Sequence, residues 1–258
     1  GNKQDKPRNL GILRIVAIGV SDYDNPKIRL DLAAKDARDF SQLFATQGGK
    51  LYEKVDITVL TDRAADRRSI EGALENLRKR VKPEDTTFVF LSGHGVNDSR
   101  QNYYYLPREV DLERLADTAI SFQRIRKTLA DLPGRNLLFV DTCHAGNVLG
   151  NLKAGLSRNN TTAINQMASP ENNIIVFASS SGEQESIEKL DWGNGAFTKA
   201  LIEGLRGEAD FKRRGRVTYK QLDAYVSDRV YELTGGQQTP VTPVLVTVPD
   251  FPLTVVVQ

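Results

Sequence analysis

The chain has 258 residues, 40% hydrophobic and 26% charged, with 35 basic side chains against 33 acidic ones. That suffices for one sizeable α/β core, and so even a mixture of charge argues against a nucleic-acid surface. A single cysteine rules out an intrachain disulfide, no apolar run nears the ~20 residues of a membrane span, and the polar tail 1–9 lacks a signal-peptide stretch. The expected location is cytoplasmic, without membrane or nucleic-acid partners. The chain starts on Gly1 and ends in strand-like sequence. A domain cut from a longer protein would look like this, which leaves room for a fused or associated regulatory domain.

The first predicted strand is 12–20, an apolar run broken by Arg14. Leu32, Ala33, Ala37, Phe40, Leu43 and Phe44 then recur at helical spacing. Residues 56–60 read as a second strand. Ile70, Leu74, Leu77 and Val81 predict a helix, at i, i+4, i+7 and i+11. Residues 86–91 form a third strand with no polar alternation, the pattern of a strand covered on both faces. A helix over 121–131, capped by Ser121, leads to a fourth strand at 136–141 and a fifth at 173–178. Between these two, the stretch 150–172 is rich in Asn, Ser, Thr and Gly, shows no periodicity and reads as a mobile loop. A helix near 196–206 precedes another starting at Thr218, where Thr218-Tyr219-Lys220-Gln221 fits a capping box. One or two strands close the chain between 244 and 257. The alternation predicts one α/β domain over 10–258, with a mostly parallel central sheet and helices on both faces.

In open parallel sheets ligands bind at the carboxyl ends of the strands. The third strand ends in Ser92-Gly93-His94-Gly95 and the fourth in Asp141-Thr142-Cys143-His144-Ala145-Gly146. Both histidines and the only cysteine fall in these runs. A lone Cys is ordinarily a small buried hydrophobe, but a Cys and a His at neighbouring strand ends make a nucleophile and its base. His144 is the weaker base candidate, because adjacent side chains diverge. The flanking glycines let substrate backbone approach, and the amides of Gly95 and Cys143 are candidates for an oxyanion hole. One Cys and two His cannot close a four-ligand zinc site without carboxylates. Asp141 stands two residues before Cys143, on the same side of the strand. Asp36 lies on the apolar stripe of the first helix, where a carboxylate needs a partner: substrate, or an Arg of the chain itself.

The two runs resemble the His and Cys motifs of metacaspases and bacterial caspase-like proteins. His94 precedes Cys143 by about 50 residues, as in caspases. Gly19-Val20-Ser21-Asp22-Tyr23, Leu32-Ala33-Ala34-Lys35-Asp36-Ala37, Phe177-Ala178-Ser179-Ser180 and Gly195-Ala196-Phe197-Thr198 are similar to further segments of the family. The resemblance implies a caspase-like three-layer sandwich and a cysteine endopeptidase with Cys143 as nucleophile and His94 as base. It implies that Asp36, Asp141 and Ser92 line a pocket for Arg or Lys of a protein or peptide substrate. Many metacaspases need calcium, but the matching stretch Leu112-Glu113-Arg114-Leu115-Ala116-Asp117-Thr118 has no paired Asp, so the expectation is no cofactor and no metal. Lys153 and Arg158, in the 150–172 loop, are candidates for self-cleavage. A catalytically silent scaffold and another thiol acyl-hydrolase using the same dyad are the rival readings.

Overall fold

All seven residues of the first strand, β1 (Leu13–Gly19), are buried, so both faces of the sheet are covered. The structure is a computed structural model that describes residues 10–143, 161–168, 173–180, 186–243 and 248–256, with Cys143 described through its backbone. After β1 come α1 (Ala33–Gln42), β2 (Val55–Thr61), α2 (Arg67–Arg80), β3 (Thr86–Asn97), β4 (Tyr103–Tyr105), α3 (Leu115–Thr118) and β5 (Ile120–Ser121). They are followed by α4 (Phe122–Ala130), β6 (Arg135–Cys143), α5 (Thr161–Met167), β7 (Ile174–Ala178), α6 (Ala196–Glu203), β8 (Arg216–Thr218), α7 (Tyr219–Thr234) and β9 (Pro252–Val255).

Parallel strands run β2-β1-β3-β6-β7, and β4 and β5 extend the far end of β3 in antiparallel fashion. Alternation along the strands sorts their side chains. Leu13, Ile15, Phe88, Phe90, Leu137 and Phe139 share one apolar cluster with Phe40 of α1, Phe197 of α6 and Leu222 of α7. Val16, Ile18, Val89, Leu91, Leu138 and Val140 share the other with α2, α4 and α5. Two helix layers thus sandwich the sheet, as expected. Phe40 anchors α1, stacked on Phe90 with ring centroids 4.5 Å apart and 4.9 Å from Phe139. Asp36, one turn earlier, is thereby held over the sheet. Arg14 does not break β1, because its guanidinium reaches Asp85 (2.9 Å) and Asp56 (3.1 Å).

Several elements depart from expectation. The 150–172 stretch is not wholly a loop, because residues 161–167 form α5 and bury Ile164 and Met167 at i and i+3. Apart from Ala168, the remainder of that stretch lies outside the described residues. β3 runs on through Asn97, past the expected 86–91. The helix expected to reach 206 ends at Glu203 and passes into a wider turn, Gly204–Glu208, broken at Gly207. The terminal strand β9 does not join the main sheet but pairs antiparallel with β8.

Candidate active site

The order β2-β1-β3 means that the chain leaves β1 to one side and returns on the other. Such a switch point opens a crevice at the carboxyl ends of the strands. There Ser92 pairs with Asp141 and His94 with Cys143 as Cα partners of β3 and β6. His94 is buried. Its Nε2 lies 2.8 Å from the Ile28 carbonyl. A carbonyl only accepts, so Nε2 carries a proton, and whenever the ring is neutral Nδ1 is the accepting nitrogen. Ile28 is placed by a short turn, Pro26–Ile28, with Asn25 as cap and Pro26 in the first position. The His94 carbonyl accepts from Leu106 N–H (3.0 Å). In that trans peptide the Gly95 N–H points the opposite way, away from β4. Gly95 must be glycine: a Cβ there would lie 2.0 Å from the Tyr103 hydroxyl, which also hydrogen-bonds Thr142 (3.0 Å).

Asp141 follows Leu137 and Phe139 on the face of α1 and α6. Its carboxylate accepts from Thr198 Oγ1 at 2.6 Å and from the hydroxyls of Ser186 and Ser179. Asp36 accepts from Asn194 Nδ2 (2.8 Å) and from Gly195 N–H (3.3 Å). A Cβ on Gly195 would stand 3.2 Å from Asp36 Oδ2, 3.4 Å from Asp141 Oδ2 and 3.9 Å from Glu188 Cγ. The Asp36 and Asp141 carboxylates therefore meet at one glycine, while the Glu188 carboxylate accepts from the Asp31 and Leu32 N–H groups. Burial, then the nearby Asp141 charge, hold the Asp36 carboxyl well above the usual carboxylate range. Burial also raises Asp141, against its hydroxyl donors. Half-buried Glu188 is pushed up to about 7 by desolvation and by Asp141. Among the described residues neither Asp36 nor Asp141 forms an ion pair. Ser92 is buried beside Asp141 in the strand register, with its carbonyl accepting from Tyr105 O–H (2.8 Å).

The structure thus brings His94, Gly95, Ser92, Asp36, Asp141 and the Cys143 backbone to one end of the sheet. His144, Lys153 and Arg158 lie outside the described residues. Sequence reasoning missed Glu188, which sits in an aperiodic stretch, bridges to Gly195 and accepts from the Asp31 and Leu32 N–H groups. It also missed Gln238, fully buried, whose amide accepts from Ile187 N–H (2.8 Å) and donates to the Ser179 carbonyl (2.8 Å). Beside the 112–118 stretch, the Asp111 carboxylate accepts from Glu113 N–H (2.9 Å) and from Arg114 (3.0 Å). No group of three His, Cys, Asp or Glu suited to a metal occurs among the described residues. No helix there is long and apolar enough to cross a membrane. A cavity of about 750 Å³ lined by Gly11, Tyr52, Glu84 and Arg135 opens at the amino ends of the strands, the end of a parallel sheet where ligands are not expected.

A parallel sheet between two helix layers, with a His and a Cys as the last paired residues of adjacent parallel strands, defines the class of the caspase-like α/β sandwiches. The caspase-domain family model matches residues 14–246, and the chain belongs to that family of cysteine peptidases. It is similar in fold to the crystal structure of protein GSU0716 from Geobacter sulfurreducens, with a TM-score of 0.65 at 19% identity over 95% of this chain and 99% of that one. Comparison with curated proteins finds no match.

Proposed function

We propose that this chain is a cysteine endopeptidase that cuts after Arg or Lys. The observation that carries the specificity is the meeting of the Asp36 and Asp141 carboxylates at Gly195, at the end of the sheet where His94 and Cys143 are strand partners. Asp36 and Asp141, buried with no ion pair among the described residues, favour a cationic guest, and a substrate guanidinium or ammonium supplies one. Cys143 gives its proton to His94 Nδ1, and the thiolate attacks the carbonyl carbon after the basic residue. The amides of Gly95 and Cys143 bind the developing oxyanion. His94 returns the proton to the leaving amine, and water then releases the acyl group from sulfur. Ser92 completes the pocket wall beside Asp141.

A positional-scanning peptide library tests the reading. Arg and Lys before the cut should dominate, and efficient cleavage after Asp or Leu would refute it. The same preference extends to the chain's own Lys153 and Arg158. Mass spectrometry of wild type against Cys143→Ala should find nicks at one of them in the wild type alone. Activity should survive excess EGTA, since Asp111 is engaged with its own segment and 112–118 offers no paired Asp; loss in chelator with rescue by calcium would overturn that.

A further inference from the structure

The loop between β1 and α1 carries Ser21-Asp22-Tyr23, and the proposed chemistry leaves Tyr23 unused. Its side chain is nevertheless fully buried, with the hydroxyl against the backbone of the base. His94 N–H donates to Tyr23 Oη (2.8 Å), and Tyr23 O–H donates to the Leu106 carbonyl (3.2 Å). In the same pair Leu106 N–H donates directly to the His94 carbonyl (3.0 Å). In an antiparallel ladder a hydrogen-bonded facing pair exchanges two direct backbone bonds. Here one bond is direct and the other passes through a phenolic hydroxyl. Tyr23 therefore stands as a wedge in the ladder at the residue that carries the imidazole.

The backbone records the wedge. Gly93, immediately before His94, has φ +143°, and a Cβ there would lie 2.8 Å from Tyr23 Oη and 3.1 Å from Tyr105 Oη. The strand alternation that places Phe90 and Ser92 on the α1 face is interrupted at this glycine. The His94 ring instead lies 5.1 Å from the Tyr23 ring, tilted by 33°. The loop is itself anchored. Ser21 and Asp22 N–H both donate to Asp62 Oδ1 (2.9 Å), and Ser21 Oγ accepts from Ala34 N–H (2.9 Å) at the start of α1. One tethered loop thus grips His94 twice, through Tyr23 at the backbone and through the Ile28 carbonyl at the ring.

We infer that Tyr23 is a positioning residue for His94, on the reading that His94 is the base: its hydroxyl, wedged into the ladder, sets the direction from which the imidazole meets the Cys143 thiol. Tyr23→Phe removes one oxygen. The ladder then closes or His94 N–H loses its acceptor, and either event moves the ring.

The test is the pH profile of Cys143 alkylation by iodoacetamide, with kinetics on an Arg peptide alongside. In Tyr23→Phe the alkylation profile should move up by on the order of one pH unit, toward the ordinary thiol value of ~8.5. The kcat should fall by on the order of 10-fold or more, with KM little changed. Tyr52→Phe is the control: it loses a buried hydroxyl bond to the Leu253 carbonyl (3.0 Å) at the other end of the sheet. It should melt lower to a similar degree yet keep the wild-type profile. A Tyr23→Phe profile that coincides with wild type overturns the inference, whatever its melting temperature. Alkylation needs no peptide, so a wild type that cuts no Arg peptide sinks the peptidase reading while the profile still decides Tyr23. A His94→Ala profile identical to wild type removes the base, and the inference with it.

Discussion

Asp141 has hydroxyl neighbours at Thr198, Ser186 and Ser179 and, among the described residues, no cation. Hydroxyls donate to a carboxylate without neutralising it, so its remaining demand is for positive charge. Truncation to Asp141→Ala should leave a bound substrate cation poorly matched, at ~3–5 kcal/mol, which is on the order of 10²–10³-fold in kcat/KM on Arg peptides. A loss of less than about fivefold would show that Asp141 does not face the guest. Cys143→Ala should lower cleavage on the order of 10⁴-fold or more, with His94→Ala comparably severe and His144→Ala much milder. Near-normal turnover by Cys143→Ala would end the assignment. Asp36 was legible in the sequence because it interrupts an apolar stripe, whereas Glu188 was not, since no periodicity marks a residue held by a bridge and by burial.

At the scale of elements, local chemistry was legible wherever it is contained within a few residues. Thr218 accepts from Gln221 N–H (3.3 Å) while Gln221 Oε1 accepts from Thr218 N–H (2.9 Å), so the expected capping box opens α7. Ser121 likewise accepts from Arg124 N–H (3.2 Å) and starts α4. Thr218→Ala should cost about 1 kcal/mol of stability, measured by denaturant midpoint, and leave the pocket chemistry unchanged. What stayed illegible depends on contacts distant in sequence. The strand Tyr103–Tyr105 exists because β3 outruns its neighbours and needs a partner, and α5 exists because Ile164 and Met167 meet the sheet. Gln238 is the extreme case, because its amide joins the end of β7 to the stretch bearing Glu188 from just beyond α7. Gln238→Ala leaves two buried backbone groups without partners, at ~1–3 kcal/mol each. It should also raise KM for Arg peptides more than it lowers kcat, and equal effects on both would assign Gln238 to stability alone.

For the molecule as a whole, the acid cluster ties stability and ligand binding to pH in opposite directions. Asp36, Asp141 and Glu188 all have folded-state pKa values raised by burial, with Glu188 at about 7. Unfolded, such groups titrate near ~4. Between ~4 and about 7 the folded chain therefore holds more protons than the unfolded chain, and the stability of the unliganded protein falls as pH rises through that window. Glu188 alone contributes on the order of 2–3 kcal/mol to this slope. The lowered carboxylates act elsewhere: Asp66, Asp85, Asp98, Glu203 and Asp210 have depressed values, so their stabilisation is present above ~4 and is lost only as pH falls below it. Both effects turn over near the unfolded value, which leaves a stability maximum near pH ~4. A bound guanidinium reverses the slope, because it requires the ionised acids and so binds more tightly as pH rises toward about 7 and above. Melting of Cys143→Ala protein across this range, with and without an Arg peptide amide, reads both trends. The unliganded protein should melt progressively lower from acidic to neutral pH, and the peptide-induced gain should grow over the same interval. Glu188→Gln should flatten both curves. A pH-independent melting temperature together with pH-independent peptide binding would mean that Asp36 and Asp141 neither share a pocket nor await a cation.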